Sequence, residues 1–220
     1  VDEVLEQLKD GVRRFQAEVY PQQAEIFAQA ASEKQAPHTL FITCADSRVD
    51  PNLITSSGTG EVFVTRNIGN MVPAYGEMLG GVSAVVEFAV GELEVRHIVI
   101  CGHTHCGAMQ ALLAPEIVAK MPTVQSWLRN AHAALSVAET FDRELAKRGG
   151  QHDLLEVLTE QNVLLQMRHL KTHPSVAAAM ALGDLTISGW IYNIGTGEVS
   201  VVEDGQQTFI PVGVGLPTGA

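Results

Sequence analysis

Two short apolar runs, each ending in side chains that can hold a metal, constrain this chain more than anything else in it. Thr39-Leu40-Phe41-Ile42-Thr43 leads into Cys44-Ala45-Asp46-Ser47-Arg48, and His97-Ile98-Val99-Ile100-Cys101-Gly102 leads into His103-Thr104-His105-Cys106-Gly107. Both runs are rich in β-branched residues and bounded by turn formers, so each reads as a buried strand. The ligating groups then lie just past the C-terminal ends of two strands, where open parallel sheets build their sites.

Soft thiolates and an imidazole select zinc over magnesium or calcium. Three protein ligands leave a fourth position open, the pattern of a catalytic rather than a structural zinc. Cys44, His103 and Cys106 are the predicted ligands. His103 and Cys106 reach one ion from a single turn, whereas Cys44 arrives through the fold, unlike the paired Cys-x-x-Cys layout of a zinc finger. Two thiolates leave zinc less positive than three imidazoles would, so activation of water depends more on neighbours. Asp46 is placed to orient the reacting water, and Arg48 to clamp Asp46 bidentately and keep it ionised. Cys101 reads as a small buried hydrophobe. His105 points away if His103 and Cys106 share a face. Ser47 has no nucleophile elbow around it and reads as loop support.

Composition narrows the partners. With 14 Lys+Arg against 25 Asp+Glu and a formal charge of −11, no basic face is available for nucleic acid. No apolar stretch of about 18 residues occurs to span a membrane. Three cysteines make no disulfide framework. The chain starts at Val1 without Met; a cytoplasmic home is favoured, with export or organellar import after processing as the alternative.

Residues 1–35 read as a helical arm of two amphipathic helices broken at Pro21. It serves either as packing for its own domain or as an embrace of a partner subunit. Asp50-Pro51 starts a short helix, Glu61–Arg66 is a strand, and residues from Met78 to about Glu92 form a helix. Helices are expected over 123–147 and 151–170 and from His173-Pro174 to about Leu182. Strands at 185–192 and 198–202 meet across Gly195-Thr196-Gly197 as a hairpin. The expected fold is α/β: a mostly parallel sheet of four or five strands flanked by helices, with an antiparallel edge strand. One domain is expected, with the arm at 1–35, a zinc-binding core at 36–203 and a tail at 204–220.

Taken together, Cys44-Ala45-Asp46-Ser47-Arg48 and His103-Thr104-His105-Cys106-Gly107 resemble the signature of the β-class carbonic anhydrases. Arg66-Asn67-Ile68-Gly69-Asn70 and the Gly-Trp-Ile-Tyr run at 189–192 fit the same family, and the resemblance covers roughly residues 35–203. It implies reversible hydration of carbon dioxide to bicarbonate and a proton by zinc-bound hydroxide. It also implies a homodimer, or a tetramer built from dimers, with sites near the interface. Within the family the chain resembles the open-site, plant-type form. Gln35, Phe63 and Phe88 then match pocket positions supplied across the interface, and Ile68 an apolar substrate wall. Phe88 stands where plant members carry tyrosine, and Phe41 and Thr43 where the switching form has Trp-x-Gly. Weak or absent bicarbonate inhibition follows. On the same resemblance, the Gly107 N–H is expected to donate to a bound anion. His38, His97, His105, His132, His152, His169 and His173 are candidates by type for relaying the product proton. The same motifs also suit a hydrolase of carbonyl sulfide or carbon disulfide, and a non-catalytic zinc scaffold would have no use for Asp46 and Arg48.

Overall fold

The computed structural model describes residues 2–77, 80–151 and 153–213. Its centre is a six-stranded sheet in the order β2-β1-β3-β4-β5-β6, formed by β1 (Thr39–Cys44), β2 (Val62–Asn67), β3 (His97–His103), β4 (Thr186–Tyr192), β5 (Val199–Glu203) and β6 (Ile210–Pro211). The first four strands are parallel, and β5 and β6 add antiparallel pairings at one edge. This is the expected mixed sheet, extended by the two-residue β6 within the predicted tail; the end of that tail, 214–220, lies outside the described residues.

After β1 the chain moves outward to β2 on one side, and after β3 to β4 on the other. The loops leaving β1 and β3 therefore diverge, and a crevice opens between the C-terminal ends of two neighbouring strands. Leu40, Ile42, Ile98 and Ile100 point to one face of the sheet and are fully buried there. The other face carries Phe41, Val99 and Cys101, with the Trp190 ring edge-on to Phe41 at 5.6 Å. The period-2 alternation of the strands thus feeds two apolar faces, which explains their unbroken apolar sequence.

The helices are α1 (Asp2–Arg14), α2 (Ala24–Ser32), α3 (Pro51–Thr55), α4 (Gly81–Gly91), α5 (Gly107–Leu113), α6 (Pro122–Leu128), α7 (His132–Lys147), α8 (Leu154–Leu170) and α9 (Pro174–Leu182). The expected start of α4 at Met78 falls outside the described residues, and α8 starts at Leu154, after its Asp153 cap, rather than at Gln151. Asp50 and Asp153 cap α3 and α8 by accepting from the second and third backbone N–H groups of each helix. The single helix expected over 123–147 is interrupted by a 3-10 turn, Arg129–Ala131. There the Asn130 side chain donates to Trp127 O at 2.8 Å and competes with the helical ladder. Helix α8 lies directly on the sheet: a Cβ at Gly189 would stand 2.6 Å from Val163 Cγ1 and 2.7 Å from Met167 Sδ. Between α1 and α2 the chain passes through a π turn and a 3-10 turn containing Pro21. No residue of α1 or α2 is buried.

Candidate metal centre

Cys44 closes β1, His103 closes β3, and Cys106 caps α5 one turn later. The parallel register sets Thr43 beside Cys101, which brings the two strand ends level. Between the two downstream ligands His105 takes a left-handed conformation (φ 55°), which turns His103 and Cys106 back toward one point. One donor atom from each of the three ligands lies within 4.8 Å of the others, and all three residues are buried. The Cys44 and Cys106 sulfurs are 4.0 Å apart and form no disulfide.

The donor set fits zinc on a direct observation. His103 Nδ1 donates to Thr104 O at 2.9 Å, which leaves Nε2 as the unprotonated nitrogen. That Nε2 is buried with no hydrogen-bond partner among the described residues. A buried lone pair aimed between two thiols is the arrangement a thiophilic cation satisfies. The two thiols are held unequally. The Cys44 thiol is held well below the usual thiol range, first by its hydrogen bond with Cys106, then by His103 and by the backbone N–H groups of Gly69 and Asp46. Cys106 is pushed up by the same Cys44 contact and by burial, against the backbone N–H groups of Met109 and Ala108.

Asp46 and Arg48 form a two-pronged pair beside this cluster. Arg48 Nε donates to Asp46 Oδ1 at 2.9 Å and Nη2 to Oδ2 at 2.7 Å, and the Arg48 backbone N–H also donates to Oδ1 at 3.0 Å. Arg48 therefore holds the Asp46 carboxyl well below the usual carboxylate range, against the cost of burial. Asp46 Oδ2 faces the cluster, 3.9 Å from His103 Nε2, yet the carboxylate is no member of the group of clustered donors. Arg66, from β2, donates through Nε to Cys44 O at 3.1 Å and through Nη2 to Asp46 O at 2.5 Å, gripping the loop from behind.

The remaining predicted positions divide into two groups. Ile68 and Gly107 lie at the metal end of the sheet: Ile68 follows β2 directly and is 43% exposed, and Gly107 opens α5 on the surface. Phe63 and Phe88 pack together with ring centroids 6.2 Å apart, and Phe88 is 45% exposed. Phe63 is paired with Leu40, four residues before Cys44 on β1, so it sits about 13 Å down the sheet from the metal end. Gln35 is exposed in the segment before β1, next to Lys34, whose Nζ bonds Glu92 at the end of α4 at 2.7 Å. Within one chain, then, these three are not gathered around the metal donors. Among the histidine candidates, His97 bonds Thr186 and Ser188, His169 donates to Val72 O, and His173 is buried against Pro73 O. His152 lies outside the described residues.

Sequence reasoning missed the side chains that hold the turn after β2, namely Trp127, Asn162 and Gln166. The signal was there for two of them: Asn162 and Gln166 are amides at i, i+4 spacing in a helix whose neighbours are Val and Leu.

A buried cysteine–histidine–cysteine cluster at the switch point of a parallel sheet, flanked by a clamped carboxylate, defines a zinc-dependent α/β enzyme. The carbonic anhydrase family model matches residues 39–199, and the chain belongs to that family, in its β class. It is 44% identical over 198 residues to a carbonic anhydrase of Synechococcus elongatus, spanning 89% of this chain and 70% of that protein. It is 42% identical over 203 residues to a carbonic anhydrase of Pseudomonas aeruginosa, spanning 91% and 89%. Among solved structures, the β-carbonic anhydrase CcaA superposes with a TM-score of 0.88 at 38% identity, over 94% of this chain and 92% of that one. The Coccomyxa β-carbonic anhydrase in complex with acetazolamide gives 0.73 at 31% identity, over 94% and 87%.

Proposed function

We propose that this β-carbonic anhydrase works with an open metal site, with Asp46 and Arg48 as its catalytic pair. The reaction is the zinc-dependent, reversible hydration of carbon dioxide to bicarbonate and a proton. The observation that carries the open-site reading is the bidentate hold of Arg48 on Asp46. With three donations from Arg48 to its two oxygens, the carboxylate would have to break charge-assisted hydrogen bonds to become a ligand itself.

Zinc held by Cys44, His103 and Cys106 supplies a Lewis acid that lowers the pKa of water toward neutrality. The rest of the work falls to the chain. An ionised Asp46 can only accept, so Oδ2, facing the cluster, takes the O–H of the reacting water and aims its free lone pair at the carbon of carbon dioxide. Arg48 fixes the carboxylate's plane and keeps it ionised. The carbon–oxygen bond forms, water exchanges for bicarbonate, and the proton leaves to buffer. Ile68 forms an apolar wall suited to an uncharged, linear substrate, and the Gly107 N–H meets the bicarbonate charge.

Gln35, Phe63 and Phe88 complete the pocket of a partner subunit, which agrees with their place at the far end of their own sheet. The active form is a homodimer. Solved relatives from Sordaria macrospora are described as tetrameric, and a pair of dimers is the next level here. The chain acts as one domain, the arm included.

Stopped-flow hydration on protein with zinc quantified per chain tests this reading. Activity should rise with pH to a plateau through one apparent ionisation, and added bicarbonate should inhibit only as a product. Cooperative bicarbonate inhibition with a steep collapse below about pH 8 would mean Asp46 captures the metal, and the open-site assignment fails. No hydration at full zinc, with turnover of carbonyl sulfide or carbon disulfide instead, would replace the substrate.

A further inference from the structure

The turn from Asn67 to Val72 is the wall against which the metal centre is built. Gly69 takes a left-handed conformation (φ 77°), and a Cβ there would stand 2.9 Å from Ala108 Cβ, so the turn is pressed against the start of α5, just after Cys106. Its first residue closes it locally: Asn67 Nδ2 donates to Met71 O at 2.9 Å, and Met71 N donates to Asn67 Oδ1 at 2.7 Å. Trp127 Nε1 donates to Ile68 O at 2.8 Å from α6.

The remaining holds come from one face of α8. Asn162 Nδ2 donates to Gly69 O at 3.1 Å, Gln166 Oε1 accepts from Val72 N at 2.8 Å, and His169 Nδ1 donates to Val72 O at 2.9 Å. The two amides are joined, Gln166 Nε2 donating to Asn162 Oδ1 at 2.8 Å and to Asn130 O at 3.2 Å. Gln166 is fully buried and Asn162 is 1% exposed. The spacing 162, 166, 169 is one helical stripe. Around it Leu158, Val163, Leu164 and Met167 are ordinary apolar core.

Two buried amides are a poor choice for stability alone, because each must find its hydrogen bonds inside the protein to break even with apolar residues. What they give is direction. Apolar packing tolerates a slide of the turn along α8, whereas these hydrogen bonds fix its height and tilt. We infer that Asn162 and Gln166 are positioning residues for the metal centre, setting the Asn67–Val72 turn against Cys44 and Cys106 and so the geometry of the two thiolates and of the Ile68 wall. The inference rests on the carbonic anhydrase reading of the site. Neither amide touches the reacting atoms; both act through the turn.

The test uses full-length zinc and cobalt(II) forms of wild type, Gln166→Met, Asn162→Ala and a control, Val176→Ala. Val176 is equally buried but lies on α9, which packs on α4, and touches no residue of the turn by hydrogen bond. Gln166→Met keeps the shape and removes the hydrogen bonds. Asn162→Ala releases Gly69 O with the smallest disturbance of the helix, and it decides if Gln166→Met gives no folded protein. The expected result is a shift in the thiolate-to-cobalt absorption, faster metal loss to a chelator, and a fall in kcat/KM of about tenfold or more, as for other residues that brace metal ligands. Val176→Ala should lower the melting temperature and leave the cobalt spectrum unchanged. Wild-type spectra and kcat/KM within about twofold of wild type in both amide variants, or the same spectral shift in Val176→Ala, would overturn the inference. Wild-type protein that holds zinc but hydrates no carbon dioxide would instead refute the functional reading, and the cobalt spectra would still decide the positioning role.

Discussion

Asp46 is the residue whose chemistry is most exposed to test. Its carboxylate lies 3.9 Å from the metal-facing nitrogen of His103 and is held by Arg48 on both oxygens. Replacing it with asparagine keeps the shape but offers an N–H where only an acceptor serves. Asp46→Asn should lower kcat/KM for hydration by about 100-fold or more while zinc per chain stays at the wild-type level. Loss of zinc together with activity would mean Asp46 holds the ligands in place and orients no water. At this scale much was legible in the sequence. Two cysteines and a histidine at the ends of two buried strands named the ligands, because few other roles place those types there. The left-handed His105 and the backbone N–H groups of Gly69 and Ala108 were not legible, because they depend on φ angles and approach distances that side-chain identity does not encode.

Elements add the histidines set into the fold. His173 occupies the N-cap position of α9 without a side-chain capping bond, is 2% exposed, and donates through Nε2 to Pro73 O at 3.1 Å. Burial pushes its pKa below the ordinary 6.5, with nearby His169 adding to the shift and the Pro73 hydrogen bond opposing it. His97, bonded to Thr186 and Ser188 on the sheet, is lowered by burial as well. The unfolded chain therefore takes up protons at a higher pH than the folded one. Stability is full above the unfolded value and falls as pH drops through it, levelling off only below the depressed folded values. Zinc release runs in the same direction, so the informative quantity is a difference between variants. His173→Asn keeps a donor and a good helix cap without a titrating group. Its melting temperature should fall less than that of wild type between pH 7.5 and 5.5, both zinc-loaded. Parallel curves would show that His173 is not buried as a neutral group. Sequence pattern located α8 and α9 to within a few residues but drew α6 and α7 as one helix. Asn130 bonding back to Trp127 O is a local contest that apolar periodicity does not register.

For the whole molecule, the arm is the feature that one chain leaves unexplained. Val4, Leu5, Leu8 and Val12 form an apolar stripe on α1, and Leu8 is 65% exposed. A helix of this length is marginal in water without a packing partner, and among the described residues nothing buries any residue of α1. The arm ends at Gln35, while Phe63 and Phe88 sit at the far end of the sheet from their own metal donors. The proposed dimer accounts for both facts: a second copy would cover the stripe and receive Gln35, Phe63 and Phe88. Leu5 and Leu8 are 50% and 65% exposed, so Leu5→Glu with Leu8→Glu removes little packing within the chain, and each chain should still fold and keep its zinc. Sedimentation should show a shift toward monomer at micromolar concentration, and kcat/KM should fall in step with the dimer fraction, because on this proposal each site would lose residues that another chain provides. An unchanged assembly would mean the stripe is not the contact. A monomer with full activity would be the more informative failure, since it would show that a single chain completes its own pocket and that Gln35, Phe63 and Phe88 play no part in catalysis.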